Sequence, residues 1–303
     1  MDFNQILCPV DFSEPSAAAL RTAGMLTRTL QAGLTVLHAQ RWELPPYFTV
    51  AQSNTLKSHL RRSKKAARKY LEEFVNQRLP AELPRSYALV EEEPVAAILR
   101  HARELPADLI VMGTHGRTGW SKLRLGSVMQ DVLRQSGQPV VAVGPAISGE
   151  RAKLSLHHVL CPVAFDALSQ ATIELAASLA LKAGATLTLL HVKEPGSGSD
   201  GSMKQSQNRL CEWAASAVRI GANQCSVREV VRAGSTVESI ARQAAEVHAD
   251  LLVVGAKPHH SLGWAVFGTT TESLIRNSAR PVLVVTASAT GTQRAAATAN
   301  RKG

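Results

Sequence analysis

Residues 113 to 127 place glycines at 113, 116 and 126 and cations at Arg117, Lys122 and Arg124, with no acid anywhere from 109 to 130. Glycine permits positive φ and lets backbone come close to a ligand, and cations attract anions. The flanks give this pattern its meaning. An apolar run, Leu109 to Met112, reaches Gly113, and a helical pattern opens at Gly126-Ser127, carried by Val128, Val132 and Leu133 and closed by Gly137 and Pro139. A buried strand, a glycine-bearing loop and a helix N-terminus form an anion cradle, because the first-turn N–H groups and the positive dipole end face the ligand. Ser127 is placed either to cap that helix or to give its hydroxyl to a phosphate oxygen. Upstream, Asp11 follows the first strand-like run, where a carboxylate could accept from a sugar or base edge or simply close a turn beside Ser13.

These residues need elements to hold them, and the chain supplies the elements twice. Ile6-Leu-Cys-Pro-Val-Asp-Phe-Ser13 matches Val159-Leu-Cys-Pro-Val-Ala-Phe-Asp166, and Leu34-Thr-Val-Leu-His38 matches Leu187-Thr-Leu-Leu-His191. Asp108-Leu-Ile-Val-Met-Gly113 likewise matches Asp250-Leu-Leu-Val-Val-Gly255, and Gln138-Pro-Val-Val-Ala-Val143 matches Arg280-Pro-Val-Leu-Val-Val285. This is a two-fold duplication rather than a solenoid array. It divides the chain into a domain over 1–147, a second over 157–286, and a tail over 287–303 that lacks apolar periodicity and is expected to be disordered.

In the first copy, strands are predicted at Gln5–Val10, Leu34–Ala39, Ser86–Val90, Leu109–Met112 and Pro139–Val143. Helices fall between them, the first capped by Ser13 with Pro15 in its first turn. Residues 40–56, with Pro45 and Pro46, read as a loop, and 57–78 as a basic helix whose charge run is a solvated face. Continuous apolar strands alternating with helices imply an α/β fold, a parallel doubly wound sheet in each copy. The apolar last strands, Pro139–Val143 and Pro281–Val285, would be exposed edges unless they join, so the copies are expected to form an internal pseudo-dimer.

Composition narrows the class. With 45% hydrophobic and 19% charged residues the chain is of ordinary globular type. Its net charge of +10 is split evenly: Lys+Arg less Asp+Glu is 18 − 13 = +5 for 1–147 and 16 − 11 = +5 for 148–303. An even excess favours small anionic ligands or general polyanion affinity over one dedicated nucleic-acid patch, so no nucleic-acid partner is expected. Cys8, Cys161, Cys211 and Cys225 have no zinc or CxxC spacing, and Cys8 and Cys161 read as buried reduced thiols. No signal peptide and no charge-free apolar stretch of spanning length is seen, so a cytoplasmic protein without a membrane partner is expected.

The pattern Gly113-x2-Gly116-x9-Gly126-Ser127, with Pro9-Val10-Asp11 upstream, resembles the ATP-binding signature of the universal stress protein family, and two such copies resemble its tandem members. The resemblance implies a Rossmann-like sheet of order 3-2-1-4-5 in each domain, paired through the last strands, and ATP, with or without Mg2+, as ligand. By that resemblance, Asp11 with the backbone of Pro9 and Val10 would hold the adenine-ribose side, joined by Ala39. Met112, Gly113, His115, Gly116 and Arg117 would wrap ribose and phosphates, and Gly126, Ser127 and Val128 would present N–H groups to the β- and γ-phosphates. The second copy departs from the signature: Ala164 stands at the position of Asp11, and Pro258 replaces the second glycine. Proline fixes φ and removes a donor, so weak or absent nucleotide binding is expected there. Asp166 is expected to cap the following helix in the place of Ser13.

The chemistry expected is binding. The cradle has no acid to hold a metal, and no Gly-x4-Gly-Lys-Ser/Thr, Gly-x-Ser-x-Gly or His-Glu-x-x-His occurs. A regulatory nucleotide-binding protein, with at most slow ATP hydrolysis, is therefore preferred to two alternatives. One is a nucleotide-using transferase or hydrolase of related fold. The other is a polyanion-binding module working through residues 57–69 and the tail. A homodimer of whole chains is compatible with the sequence.

Overall fold

The computed structural model describes residues 3–40, 50–116, 125–147, 155–196, 202–221, 226–256 and 268–286, with side chains of the two long outer helices described over 63–76 and 203–215. Arg117, Lys122, Arg124, Pro258, Cys225 and the tail lie outside these residues.

The first copy runs β1 (Gln5–Pro9), α1 (Glu14–Leu30), β2 (Gly33–Ala39), α2 (Val50–Asn76), β3 (Arg85–Val90), α3 (Pro94–Glu104), β4 (Leu109–Gly113), α4 (Ser127–Gln135) and β5 (Val140–Val143). The second copy repeats the order as β6 (His158–Pro162), α5 (Ala167–Ala183), β7 (Thr186–Lys193), α6 (Met203–Gly221), β8 (Val227–Ala233), α7 (Thr236–Glu246), β9 (Leu251–Ala256), α8 (Thr269–Asn277) and β10 (Val282–Thr286). The strands form one ten-stranded sheet, β3-β2-β1-β4-β5-β10-β9-β6-β7-β8. Each half therefore has the order 3-2-1-4-5, with parallel pairing inside each half. The halves meet where β5 and β10 pair antiparallel, Ala142 opposite Val282 and Val141 opposite Leu283. Both apolar edges are hidden in that seam, as the sequence requires.

Alternation along buried strands splits the core in two. Ile6, Cys8, Val36, Leu109 and Val111 pack under α1, α2, α5 and α6, while Leu7, Leu37, Ile110 and Met112 pack under α3, α4, α7 and α8. Cys8 and Cys161 are fully buried free thiols. Burial pushes the Cys161 thiol up to about 12 and the Cys8 thiol higher still, so neither is a nucleophile at neutral pH.

Two local expectations need correction. α2 begins at Val50, inside the stretch read as loop. Pro45 and Pro46 disfavour a helix through their own positions, but residues 50–56 contain neither Gly nor Pro and so are compatible with the helix that starts at 50. Gly126, not Ser127, is the N-cap of α4, and Ser127 is its first helical residue. Asp166 does cap α5, accepting from Leu168 N and Ser169 N at 3.1 and 2.8 Å.

One three-strand layer differs between the copies in a way that pH should report. In the first copy Gln5 Nε2 donates to Thr35 Oγ1 at 2.7 Å, and Thr35 Oγ1 meets Ser86 Oγ at 2.8 Å. In the second copy the matching residues are His158, Thr188 and Arg228, with His158 Nε2 and Thr188 Oγ1 2.8 Å apart. Burial first, then the charge of Arg228, holds the His158 imidazole below its ordinary 6.5, against the opposing pull of Asp250. The unfolded chain thus takes up this proton before the folded one does. Stability is lost as pH falls below about 6.5 toward the lower folded value. Urea unfolding at pH 7 and at pH 5.5 should show that loss, and His158→Gln, the first copy's residue, should reduce it.

Candidate functional site

The carboxyl ends of β1, β2 and β4 and the N-termini of α1, α3 and α4 converge on one cleft of about 420 Å³. It lies where the strand order reverses, between β1 and β4, the position at which open parallel sheets bind ligands. Its walls contain Pro9, Val10, Asp11, Ala39, Met112, Gly113, His115, Gly116, Gly126, Ser127 and Val128. Eleven of the twelve residues named from the sequence are thus brought together, and the twelfth, Arg117, lies outside the described residues. Sequence reading missed Ser16, Leu37, Pro94, Ile98, Thr114 and Met129, which line the same cleft. Proximity to Gly113 could have flagged Thr114. Leu37, Ile98 and Met129 carry only the signal of core residues.

The glycines are set by close approach. A Cβ on Gly113 would lie 2.9 Å from Pro15 C and 3.0 Å from its carbonyl oxygen, so side-chain-free backbone is what lets α1 sit against the end of β4. A Cβ on Gly116 would lie 2.8 Å from Asp11 Oδ2, so this glycine keeps space open in front of the carboxylate.

Asp11 divides its work between its two oxygens. Oδ1 accepts from Ser13 N at 3.1 Å and from the Ser13 hydroxyl at 2.5 Å, while Ser13 Oγ accepts from Ser16 N at 3.3 Å to cap α1. Oδ2 faces Gly116 in the cleft. Asp11 thus closes the turn through Oδ1, while Oδ2 lies on the side of the cleft.

At α4 the geometry amends one expectation. The Gly126 N–H donates to Thr114 O at 2.9 Å, so it is engaged in tying the loop's end to the end of β4. The donors left over by helix geometry begin at Ser127 and Val128, whose first-turn N–H groups have no partner within the helix. His115 Nδ1 sits 2.9 Å from Thr114 Oγ1, and its Nε2 is buried with no hydrogen-bond partner among the described residues. Asp11 is the one carboxylate among the described residues of the cleft wall.

The second copy builds the same frame with different contents. Gly255 matches Gly113; its added Cβ would meet Thr172 Oγ1 at 2.9 Å and Leu168 Cδ2 at 3.2 Å. Ala164 brings no carboxylate, and its N–H donates to Ser169 Oγ at 3.3 Å. Gly268 and Thr269 open α8 as Gly126 and Ser127 open α4. The loop with Pro258, His259 and His260 lies outside the described residues, and no cluster of three His, Cys, Asp or Glu suited to a metal occurs among those described.

Three cations of the basic helix are paired along its described part. Lys64 pairs with Glu91 at 3.0 Å, Arg68 with Glu72 at 3.0 Å and Lys69 with Glu73 at 3.5 Å, all exposed. Such pairs contribute little stability, but they give this part of α2 the character of a solvated face. No helix is long and apolar enough to cross a membrane among the described residues.

Fold and cleft define a class: paired doubly wound α/β domains with a glycine-bearing loop between the fourth strand and a helix N-terminus. The sequence profile of the universal stress protein family matches residues 2–144 and again 155–286, and the chain belongs to that family. Universal stress protein YxiE of Bacillus subtilis is 31% identical over 146 residues, which are 46% of this chain and 99% of the relative. Universal stress protein MJ0531 of Methanocaldococcus jannaschii is 27% identical over 148 residues, 46% of this chain and 82% of the relative. A universal stress protein from Archaeoglobus fulgidus has the same tandem fold, with a TM-score of 0.67, 23% identity and coverage of 94% of this chain and 99% of that one. Protein PA1789 of Pseudomonas aeruginosa, described as functionally unknown, shares the fold with a TM-score of 0.58 at 18% identity, over 96% and 95% of the two chains.

Proposed function

We propose that this chain is a stress-response regulatory protein that binds ATP in its first copy and carries the second copy as a partner with a disabled nucleotide site. The observation that carries the reading is the cleft at the β1–β4 reversal. It joins the Asp11 carboxylate, the glycine backbone at 113 and 116, and the first-turn N–H groups of Ser127 and Val128. Its volume of about 420 Å³ falls in the range of small-ligand sites, and its apolar floor of Leu37, Ile98, Met112 and Met129 suits a planar base. Phosphates would lie on the α4 N-terminus, with Arg117 from the loop as an added cation.

Among the described residues of the cleft wall Mg2+ finds no set of carboxylates, so it would enter as MgATP, held by the phosphates. With one carboxylate, engaged through Oδ1 by Ser13, the cleft offers no metal-holding acid and separate water-positioning base. The role proposed is therefore that of a nucleotide sensor in the cytoplasm, with hydrolysis slow or absent. Two features support a silent second copy: Ala164 in place of the acid, and the Ala164 N–H taken by Ser169.

Calorimetric titration of the whole chain with MgATP tests this directly. The expected outcome is one site per chain. Two sites would show that the second copy is not disabled, and heats of dilution alone would remove ATP as the ligand.

A further inference from the structure

The residue after Asp11 is out of the ordinary. Phe12 has φ +66°, in the left-handed region that bulky side chains avoid, and the only other described non-glycine residues with positive φ are Gln31, Phe165 and His248. A backbone held there persists only where its surroundings over-determine it, and such positions gather at functional sites. The surroundings are explicit. The Phe12 ring lies 4.3 Å from the His38 ring and meets Tyr70 and Phe74 of α2 edge-on at 4.7 and 5.3 Å. His38 is itself buried and holds the turn a second time, its Nδ1 2.8 Å from Val10 O. Val10 and Phe12, the two neighbours of Asp11, are both gripped by one histidine, while Asp11 points into the cleft between them.

We propose that Phe12, backed by His38, is the positioning residue that aims the Asp11 carboxylate at the ligand. This inference rests on the nucleotide reading of the cleft. Without the clamp, the turn that carries Asp11 would loosen, weakening its bond from the Ser13 N–H and releasing Oδ2 from its place in front of Gly116. The second copy shows that the clamp is a separate device from the carboxylate. Phe165 has φ +55°, stacks on His191 at 4.3 Å and meets Trp213 at 5.6 Å, and His191 Nδ1 lies 2.8 Å from Val163 O. The grip is retained, although Ala164 leaves it nothing to aim.

A double-mutant cycle on the full chain separates positioning from plain packing. Phe12→Leu keeps apolar volume but removes the ring, and should weaken MgATP binding about tenfold in the native background. Phe12→Tyr, which restores the ring, should bind within about twofold of the native chain. In the Asp11→Ala background, Phe12→Leu should weaken binding no further, because nothing is left to position. Equal losses in both backgrounds would overturn the proposal. A ligand-free measurement tests it even if the native chain binds no ATP, a result that would sink the nucleotide reading by itself. Amide exchange at Ser13, whose N–H donates to Asp11 Oδ1, should accelerate in Phe12→Leu and be restored in Phe12→Tyr; unchanged exchange at Ser13 in Phe12→Leu would overturn the positioning role whatever the ligand.

Discussion

Asp11→Ala is expected to lower the affinity of the chain for MgATP by about ten- to a hundredfold. The estimate follows from the loss of a partly buried, charge-assisted hydrogen bond, about 1.5–3 kcal/mol, which converts to one to two decades in the dissociation constant. The substitution also removes the two bonds from Ser13 to Oδ1, so some loss of stability accompanies it. The two effects are separable. Ser13 still caps α1 through Ser16 N, so the helix keeps its start, and calorimetry well below the unfolding temperature reads binding alone. Gly116→Ala offers the same test from the other side. Its Cβ would sit 2.8 Å from Oδ2, displacing the carboxylate without deleting it, and affinity should fall in the same direction. If Asp11→Ala binds within twofold of the native chain, Asp11 is a turn residue only, and the ligand's polar edge is held elsewhere.

That test bears on why part of the site was legible in the sequence. Strand, loop and helix N-terminus follow from apolar runs interrupted by glycine, and the duplication fixes their order. The meeting of β5 and β10 follows from two apolar edge strands that need cover. Other features have no such signal. That the Gly126 N–H would bond Thr114 O depends on how the loop closes, not on the identity of either residue. The left-handed backbone of Phe12 is hidden because residue type argues against it: glycine or asparagine would have announced positive φ, and phenylalanine does not. His38 did leave a trace. Cys8 and His38 are separated by the same 30 residues as Cys161 and His191, and a histidine kept twice at the end of an apolar strand has a bond to make. That bond is to Val10 O in one copy and Val163 O in the other.

The α2 start shows the converse. Two prolines mark where a helix cannot run, but the polar stretch Gln52-Ser-Asn-Thr55 has weak propensity either way, and here a 27-residue helix carries through it.

The largest effect on the whole molecule is expected at the seam. Leu283 is fully buried at the middle of the β5–β10 pairing, opposite Val141 of β5, and its side chain joins the core beneath α1 and α5. Leu283→Asp removes that apolar burial and places a carboxylate in an apolar core, a change expected to cost at least about 4 kcal/mol. The consequence should be uneven between the copies. β10 belongs to the second copy and pairs with β9 over five positions from Val282 to Thr286, so that copy loses its own edge. The first copy keeps every strand it contributes, β3-β2-β1-β4-β5, and loses only the partner of β5. Denaturant unfolding should then show the second copy melting first and the first copy persisting, in place of a single joint transition. A first copy stripped of its partner presents Val140–Val143 as an open apolar edge, the template for pairing that the fold otherwise hides. Sedimentation of Leu283→Asp at increasing concentration should accordingly reveal self-association absent from the native chain. If the variant instead loses all structure in one transition, the two copies do not have separable stability, and the seam is part of a single core rather than a joint between two.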